Sequence, residues 1–239
     1  MGQIPVQLTE FDHQGLVEKT RRDCACFYDR LRWITPADAL RFEHERRELL
    51  DALSPQALFA FNGTKPYIRR LSPGCRLCGE GSWSCLFINN ICNARCFYCP
   101  SEQQAVDEPG TNTLTFRHPE DYADYLEYFG FKGASISGGE PFLTFDRTLA
   151  FAREIKRRFQ ERIYLWLYTN GILATPDMLA QLRDTGLDEI RYNIGAAGFS
   201  LEHVQRAVGV IPHVTIEIPA VPERLDLLIR LIPEMRDRG

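Results

Sequence analysis

The sequence predicts an α/β fold built on a parallel sheet, preceded by a helical N-terminal region. Three observations carry this. From Ser82 onward, short β-prone runs alternate with helical ones. Proline opens and glycine closes several of the helical runs, as helix boundaries favour. One long helical run sets Phe151, Ile155 and Phe159 at a spacing of four, a single stripe on an α-helix.

Residues 1–72 read as a helical region of their own. Thr35-Pro36-Ala37-Asp38 supplies an N-cap hydroxyl, a proline at the first helical position and an early acid. The following segment, Ala39 to Leu53, is rich in Arg, Glu and Leu, which are good helix formers, and its charges read as a solvated face. Asn62-Gly63 and Ser72-Pro73-Gly74 read as turns. Residues 73–239 then carry the sheet. Strands are expected at Ser84 to Ile88, Gly133 to Ser137, Ile163 to Thr169, Glu189 to Ile194 and Val214 to Ile218. Helices are expected over Pro119 to Phe129, over Leu149 to Phe159, from Pro176 to Gly186, from about Ser200, and from Glu223. Such alternation favours parallel strands joined by right-handed crossovers, curved or partly closed.

Composition narrows the function classes. A hydrophobic share of 44% and a charged share of 25% over 239 residues suit a soluble globular protein. A net charge of −4 disfavours bulk attraction to nucleic acid. No apolar run nears the roughly 20 residues of a membrane span. Met1 to Glu10 lacks the basic start and apolar stretch of a signal peptide. The expected location is the cytoplasm, with no membrane partner.

Eight cysteines stand out, most of them between Cys75 and Cys99. In a reducing compartment such thiols read as metal ligands rather than disulfides. Cys92-Asn93-Ala94-Arg95-Cys96-Phe97-Tyr98-Cys99 has C-x3-C-x2-C spacing. Cuboidal iron–sulfur clusters need thiolates converging on several irons, and one short loop can supply most of them. Three ligands leave one iron open to a small molecule. A structural zinc site would take a fourth protein ligand, so a zinc loop, or cysteines that merely fill a core, is the weaker alternative. About 40 residues on, a strand ends in Ser137-Gly138-Gly139-Glu140-Pro141. The glycines would let a ligand approach the backbone, and Glu140 can accept from a cationic amine.

These two motifs resemble the radical SAM superfamily. The resemblance implies a partial (β/α)6 barrel with a [4Fe–4S] cluster on Cys92, Cys96 and Cys99. It puts Tyr98 near the adenine of S-adenosylmethionine (SAM), and Gly138, Gly139, Glu140 and Pro141 at its amino group. Asn170, Asn193 and Glu217, at the ends of the next three strands, become candidates for the carboxylate or ribose of SAM. It also implies reductive cleavage of SAM by an electron from a flavodoxin- or ferredoxin-like donor, since cluster potentials reach down to about −700 mV. The 5′-deoxyadenosyl radical so formed takes hydrogen from a substrate, a protein or a small molecule, that the motifs do not name. Pro73-Gly-Cys-Arg-Leu-Cys-Gly79 with Cys-Asn-x-x-Cys-Phe-Tyr-Cys-Pro is most similar to the branch related to pyruvate formate-lyase activating enzymes, which suggests protein modification or glycyl-radical activation. A non-catalytic iron–sulfur or zinc-binding module is the alternative.

The remaining cysteines suggest a second centre. Cys75 and Cys78 form a C-x2-C pair, Cys85 follows in the first strand, and Cys24 and Cys26 form a C-x-C pair. A two-residue spacing lets both sulfurs reach one metal, so an auxiliary iron, zinc or second cluster is expected on Cys75, Cys78 and Cys85 with Cys24 or Cys26. Cys85 as a small buried hydrophobe is the competing reading. Five strands are found where the family core has six, so the sheet edge after the fifth is expected to be covered by the N-terminal region, by a partner or by further chain.

Overall fold

A computed structural model describes residues 13–30, 32–99, 103 and 107–238. Met1 to Glu10, Pro100 and Gly239, all used in reading the sequence, lie outside the described residues. Two compact units divide at Ala57 and Leu58. The first holds helices α1 (His13–Asp23) and α2 (Pro36–Leu53). Thr35 caps α2 as expected, its hydroxyl accepting from the Asp38 N–H at 3.1 Å. No residue of α2 is buried, and its charges pair along the surface, as in Arg41 with Asp38 and Glu45.

The second unit opens with a departure from the sequence reading. Residues expected to be helical form an antiparallel hairpin, β1 (Leu58–Ala60) and β2 (Lys65–Tyr67), turning through Asn62-Gly63. Ser72-Pro73-Gly74 is not a turn either. Ser72 caps helix α3 (Pro73–Gly79), its hydroxyl accepting from the Cys75 N–H, with Pro73 at the first helical position. Cys75 and Cys78 therefore stand on a helix.

Strand β3 (Trp83–Phe87) follows, then the short pair β4 (Gly110–Thr111) and β5 (Leu114–Thr115). Helix α4 (Pro119–Phe129) leads to β6 (Gly133–Ser137), α5 (Phe145–Phe159) to β7 (Tyr164–Thr169), and α6 (Pro176–Thr185) to β8 (Glu189–Tyr192). Helix α7 (Glu202–Gln205), β9 (His213–Ile216) and α8 (Leu225–Asp237) complete the order. The sheet runs β5-β4-β3-β6-β7-β8-β9, and its five long strands are parallel. The fold is thus α/β on a parallel sheet. All five strands were legible within about two residues. The end of the fourth was misjudged, because Ile194–Ala197 is a 3-10 turn. The helix expected from Ser200 is a single turn.

Strand alternation divides the side chains. Leu86, Ile136, Leu165, Leu167 and Ile190 are fully buried in the core with Tyr122 and Leu126 of α4 and Leu179 and Leu182 of α6. The stripe Phe151, Ile155 and Phe159 of α5 joins that core, as its spacing requires. The opposite face carries Trp83 stacked on Trp166 at 6.1 Å, with Cys85, Tyr168, Glu189 and Arg191 among their alternation partners. Helix α3 lies against that face. A Cβ at Gly74 would stand 2.4 Å from Arg191 Nη2, and one at Gly133 would stand 2.9 Å from Leu77 Cδ1, so a larger residue at either place would force a neighbour to shift.

Candidate active site

The C-terminal ends of β3, β6, β7, β8 and β9 meet around one cavity of ≈450 Å³. Ends of parallel strands are where such sheets gather ligands, because the connecting loops are free to vary there. Cys92, Cys96, Tyr98 and Cys99 line it from the loop after β3, Gly139 and Glu140 from the end of β6, and Asn170, Asn193 and Glu217 from the ends of the other three. Nine residues singled out in the sequence are thus brought together. Gly138 and Pro141 stand just outside the lining.

The cysteine loop is held by side chains and backbone of the neighbouring strand ends. Glu140 N–H donates to the Ile91 carbonyl at 2.7 Å, and Asn89 Nδ2 donates to the Glu140 carbonyl and to Thr144 Oγ1. Asn170 Nδ2 donates to Asn93 Oδ1 at 2.7 Å, and the Tyr98 hydroxyl donates to Asn193 Oδ1 at 3.0 Å. The Cys92 sulfur accepts from the Ala94 N–H at 3.4 Å and from Asn170 Nδ2 at 3.9 Å. Burial raises the Cys92 pKa, against the pull of the Ala94 N–H, and burial likewise raises that of Tyr98.

Gly138 and Gly139 both adopt left-handed backbone, φ +76° and +60°. A Cβ at Gly138 would strike Phe87, and one at Gly139 would strike Ile91 O at 2.2 Å and Asn89 Oδ1 at 2.1 Å. Protein packing at the base of the cysteine loop therefore demands glycine at both positions, a reason the sequence did not show.

Glu140 is 1% exposed. Its Oε1 accepts from Thr169 Oγ1 at 2.7 Å and from the Phe142 N–H at 3.1 Å, and its Oε2 from the Asn170 N–H at 2.8 Å. Burial raises its pKa, and these three bonds oppose the shift. A carboxylate offers about four acceptor positions, so one on Oε2 is left over, on a residue that lines the cavity. Glu140 is therefore first a strut joining the ends of β6 and β7.

Arg191, Tyr168 and Asn93 were missed in the sequence. Arg191 uses all five of its N–H groups. Nε and Nη2 donate to Glu189, Nη1 to Tyr168 Oη and to Glu217 Oε2 at 2.7 Å, and Nη2 also to Ser72 Oγ at 3.0 Å. Burial lowers the Arg191 pKa, but Tyr168, Glu189 and Glu217 together raise it beyond its ordinary value. Burial is also the main reason that Tyr168 is pushed up to about 12. The signal was present in Glu189-Ile-Arg-Tyr, where charges alternate with apolar residues and so share one face of a strand.

The extra cysteines lie elsewhere. Cys75 and Cys78 are on α3, Cys85 is half-buried in β3, and Cys24 and Cys26 belong to the turn after α1 in the other compact unit. Among the described residues, no three His, Cys, Asp or Glu side chains gather closely enough to hold a single metal ion. Ligands of a cuboidal cluster bind different irons, so they stand farther apart than ligands of one ion. Three thiols from one braced loop, on the wall of one cavity, fit that requirement.

Comparison with known proteins covers the part of the chain that carries this cavity. The radical SAM superfamily profile matches residues 86–224. Over 174 residues the chain is 30% identical to a protein of Methanocaldococcus jannaschii whose name offers it, provisionally, as a glycyl-radical enzyme activating enzyme; this covers 68% of the chain and 46% of that protein. It is 34% identical over 108 residues to a GTP 3′,8-cyclase of Rhodopirellula baltica, covering 45% of the chain and 29% of the cyclase. A GTP 3′,8-cyclase of Aliarcobacter butzleri is 33% identical over 110 residues, 45% of the chain and 32% of the cyclase. The chain spans less than half the length of these relatives. With the profile covering more than half of its own residues, the chain belongs to the radical SAM superfamily of enzymes.

Proposed function

We propose that Cys92, Cys96 and Cys99 hold a [4Fe–4S] cluster whose fourth iron takes SAM, and that the chain uses the pair for hydrogen abstraction. The observation that carries this is the single cavity shared by the three thiols, Glu140 and three strand ends. When bound, cluster and SAM supply a 5′-deoxyadenosyl radical that removes hydrogen from substrate. The protein's part is placement and exclusion of water. Cys92, Cys96 and Cys99 ligate as thiolates, which the iron itself favours against the burial that raises the Cys92 pKa. The remaining acceptor position on Glu140 Oε2 takes the amine of SAM. Tyr98, fixed through Asn193, lies along the adenine, and Asn193 and Glu217 face the ribose. The amide nitrogen of Asn170 donates into the cysteine loop, and its Oδ1 accepts from the Ile172 N–H.

The five parallel strands are read as part of a (β/α)6 barrel. The substrate is read as a protein or small molecule rather than nucleic acid, and the similarity to an activating enzyme favours protein modification, glycyl-radical activation included. Its electron comes from a flavodoxin- or ferredoxin-like donor. Of the auxiliary ligands expected from sequence, Cys75, Cys78 and Cys85 of the second unit are kept, as ligands of a second iron–sulfur centre rather than of a single iron or zinc ion. Among the described residues, no helix is long and apolar enough to cross a membrane.

The test is direct. Protein reconstituted with iron and sulfide without oxygen, reduced with dithionite and given SAM, is expected to form 5′-deoxyadenosine. Intact cluster with no nucleoside product would leave a metal-binding module instead of an enzyme.

A further inference from the structure

Asn170 was expected to reach SAM, yet the structure spends its side chain on the cysteine loop. Nδ2 has two hydrogens. One is directed at Asn93 Oδ1 at 2.7 Å and the other at the Cys92 sulfur at 3.9 Å, a length that a large sulfur acceptor tolerates. Oδ1 accepts from the Ile172 N–H at 3.0 Å, and the backbone N–H donates to Glu140 Oε2. The residue is 6% exposed and stands just past the end of β7. An amide so fully engaged has no hydrogen left for a carboxylate or a ribose.

We infer that Asn170 sets the reduction potential of the cluster, by donating a hydrogen bond to the Cys92 thiolate. This rests on the ligand assignment proposed above; the free thiol of Cys92 stands where the iron-bound thiolate would be. Hydrogen bonds to cluster sulfurs stabilise the more negative, reduced form and so raise the potential. The Ala94 N–H reaches the same sulfur at 3.4 Å but is backbone, fixed by the turn of the loop. Asn170 is the side-chain part of that pair, and it comes from a strand rather than from the loop. Asn93 accepts from Asn170 and lies 4.0 Å from the Cys92 sulfur through its Oδ1, so it offers that sulfur an acceptor and no donor. The two asparagines can therefore be separated. Losing Asn170 removes a donor from the thiolate. Losing Asn93 removes only the tie.

The experiment is an EPR-monitored redox titration of the reconstituted protein without SAM, beside iron content and SAM affinity. Asn170→Leu, close in shape and without polar atoms, is expected to shift the reduction equilibrium about tenfold toward the oxidised form, a fall of about 59 mV for one electron. Asn93→Ala is expected not to lower the potential. Asn170→Leu is also expected to leave SAM affinity within about threefold. An unchanged potential in Asn170→Leu, or an equal fall in Asn93→Ala, overturns the inference, the second because a mere tether would act through both residues. A tenfold loss of SAM affinity at unchanged potential overturns it in favour of a ligand contact. Should the leucine variant hold no iron, Asn170→Ala carries the same readings. If the wild-type chain itself takes up no cluster, the ligand assignment fails first, and that result is distinct from every outcome in the variants.

Discussion

The two cysteine groups of the second unit are held in opposite ways. Around Cys92, Cys96 and Cys99, residues between and beside the cysteines reach out to other strands: Asn93 to Asn170, Tyr98 to Asn193, and Ile91 to Glu140. Around Cys75 and Cys78, the helix as a body is seated. Ser72 caps it and is bonded to Arg191, Gly74 lets it lie against the sheet, and the Cys75 carbonyl accepts from Lys65 Nζ. The lesson is that spacing brings sulfurs near one another in both, but only the first group is built into the rim of a cavity at the strand ends. In the second, the helix sets the sulfur separation.

Changes in each group sharpen that contrast. The largest effect is expected from replacing Cys92, Cys96 and Cys99 together by alanine. Formation of 5′-deoxyadenosine should fall to background, while iron that survives in this variant, measured by metal analysis, belongs to the auxiliary centre. No residual metal would end the second site and leave the first untouched. Glu140→Ala comes next. It strips three buried donors of their acceptor, so chemical denaturation should show a loss of about 2–4 kcal/mol. Calorimetric titration should show SAM binding weakened by about 10- to 100-fold. Equal SAM affinity would leave Glu140 as a strut alone.

On the other side of the contrast, Gly74→Ala drives a methyl into Arg191, whose guanidinium cannot step aside without abandoning Glu189. A cost of about 1–3 kcal/mol is expected in thermal or chemical unfolding. SAM cleavage per folded molecule should fall less than in Glu140→Ala, because α3 does not line the cavity and the displacement reaches it only through Arg191 and Glu217. A collapse of activity at normal stability would join the two cysteine groups in function. The smallest change is Tyr98→Phe, which removes one hydrogen bond worth about 1 kcal/mol and should weaken SAM about fivefold. No effect would mean that packing, not the bond to Asn193, holds the ring.

Much of the site could be read before any coordinates. Cys92, Cys96 and Cys99 sit in a sharp local motif, and Gly139, Glu140, Asn170, Asn193 and Glu217 follow from strand ends, which helix stops and β-prone runs mark well. What could not be read is who bonds to whom. Glu140 looked like a free acceptor because nothing local shows that Thr169, Asn170 and Phe142 would claim it. The hairpin at Leu58 to Tyr67 was missed for a related reason: three-residue strands carry too little periodicity to announce themselves. Arg191 was overlooked although its strand shows the alternation, since a buried charge becomes intelligible only beside Glu189 and Glu217.

The sequence by itself determined the strand and helix order, the thiol loop and the superfamily, because each depends on neighbours along the chain: period, caps and close spacing. Tertiary structure alone decided that Gly138 and Gly139 serve the protein's own packing, that Asn170 faces a sulfur, and that Arg191 is fully occupied. Those facts rest on groups far apart in the chain whose hydrogen bonds form only after the sheet has brought its strand ends together.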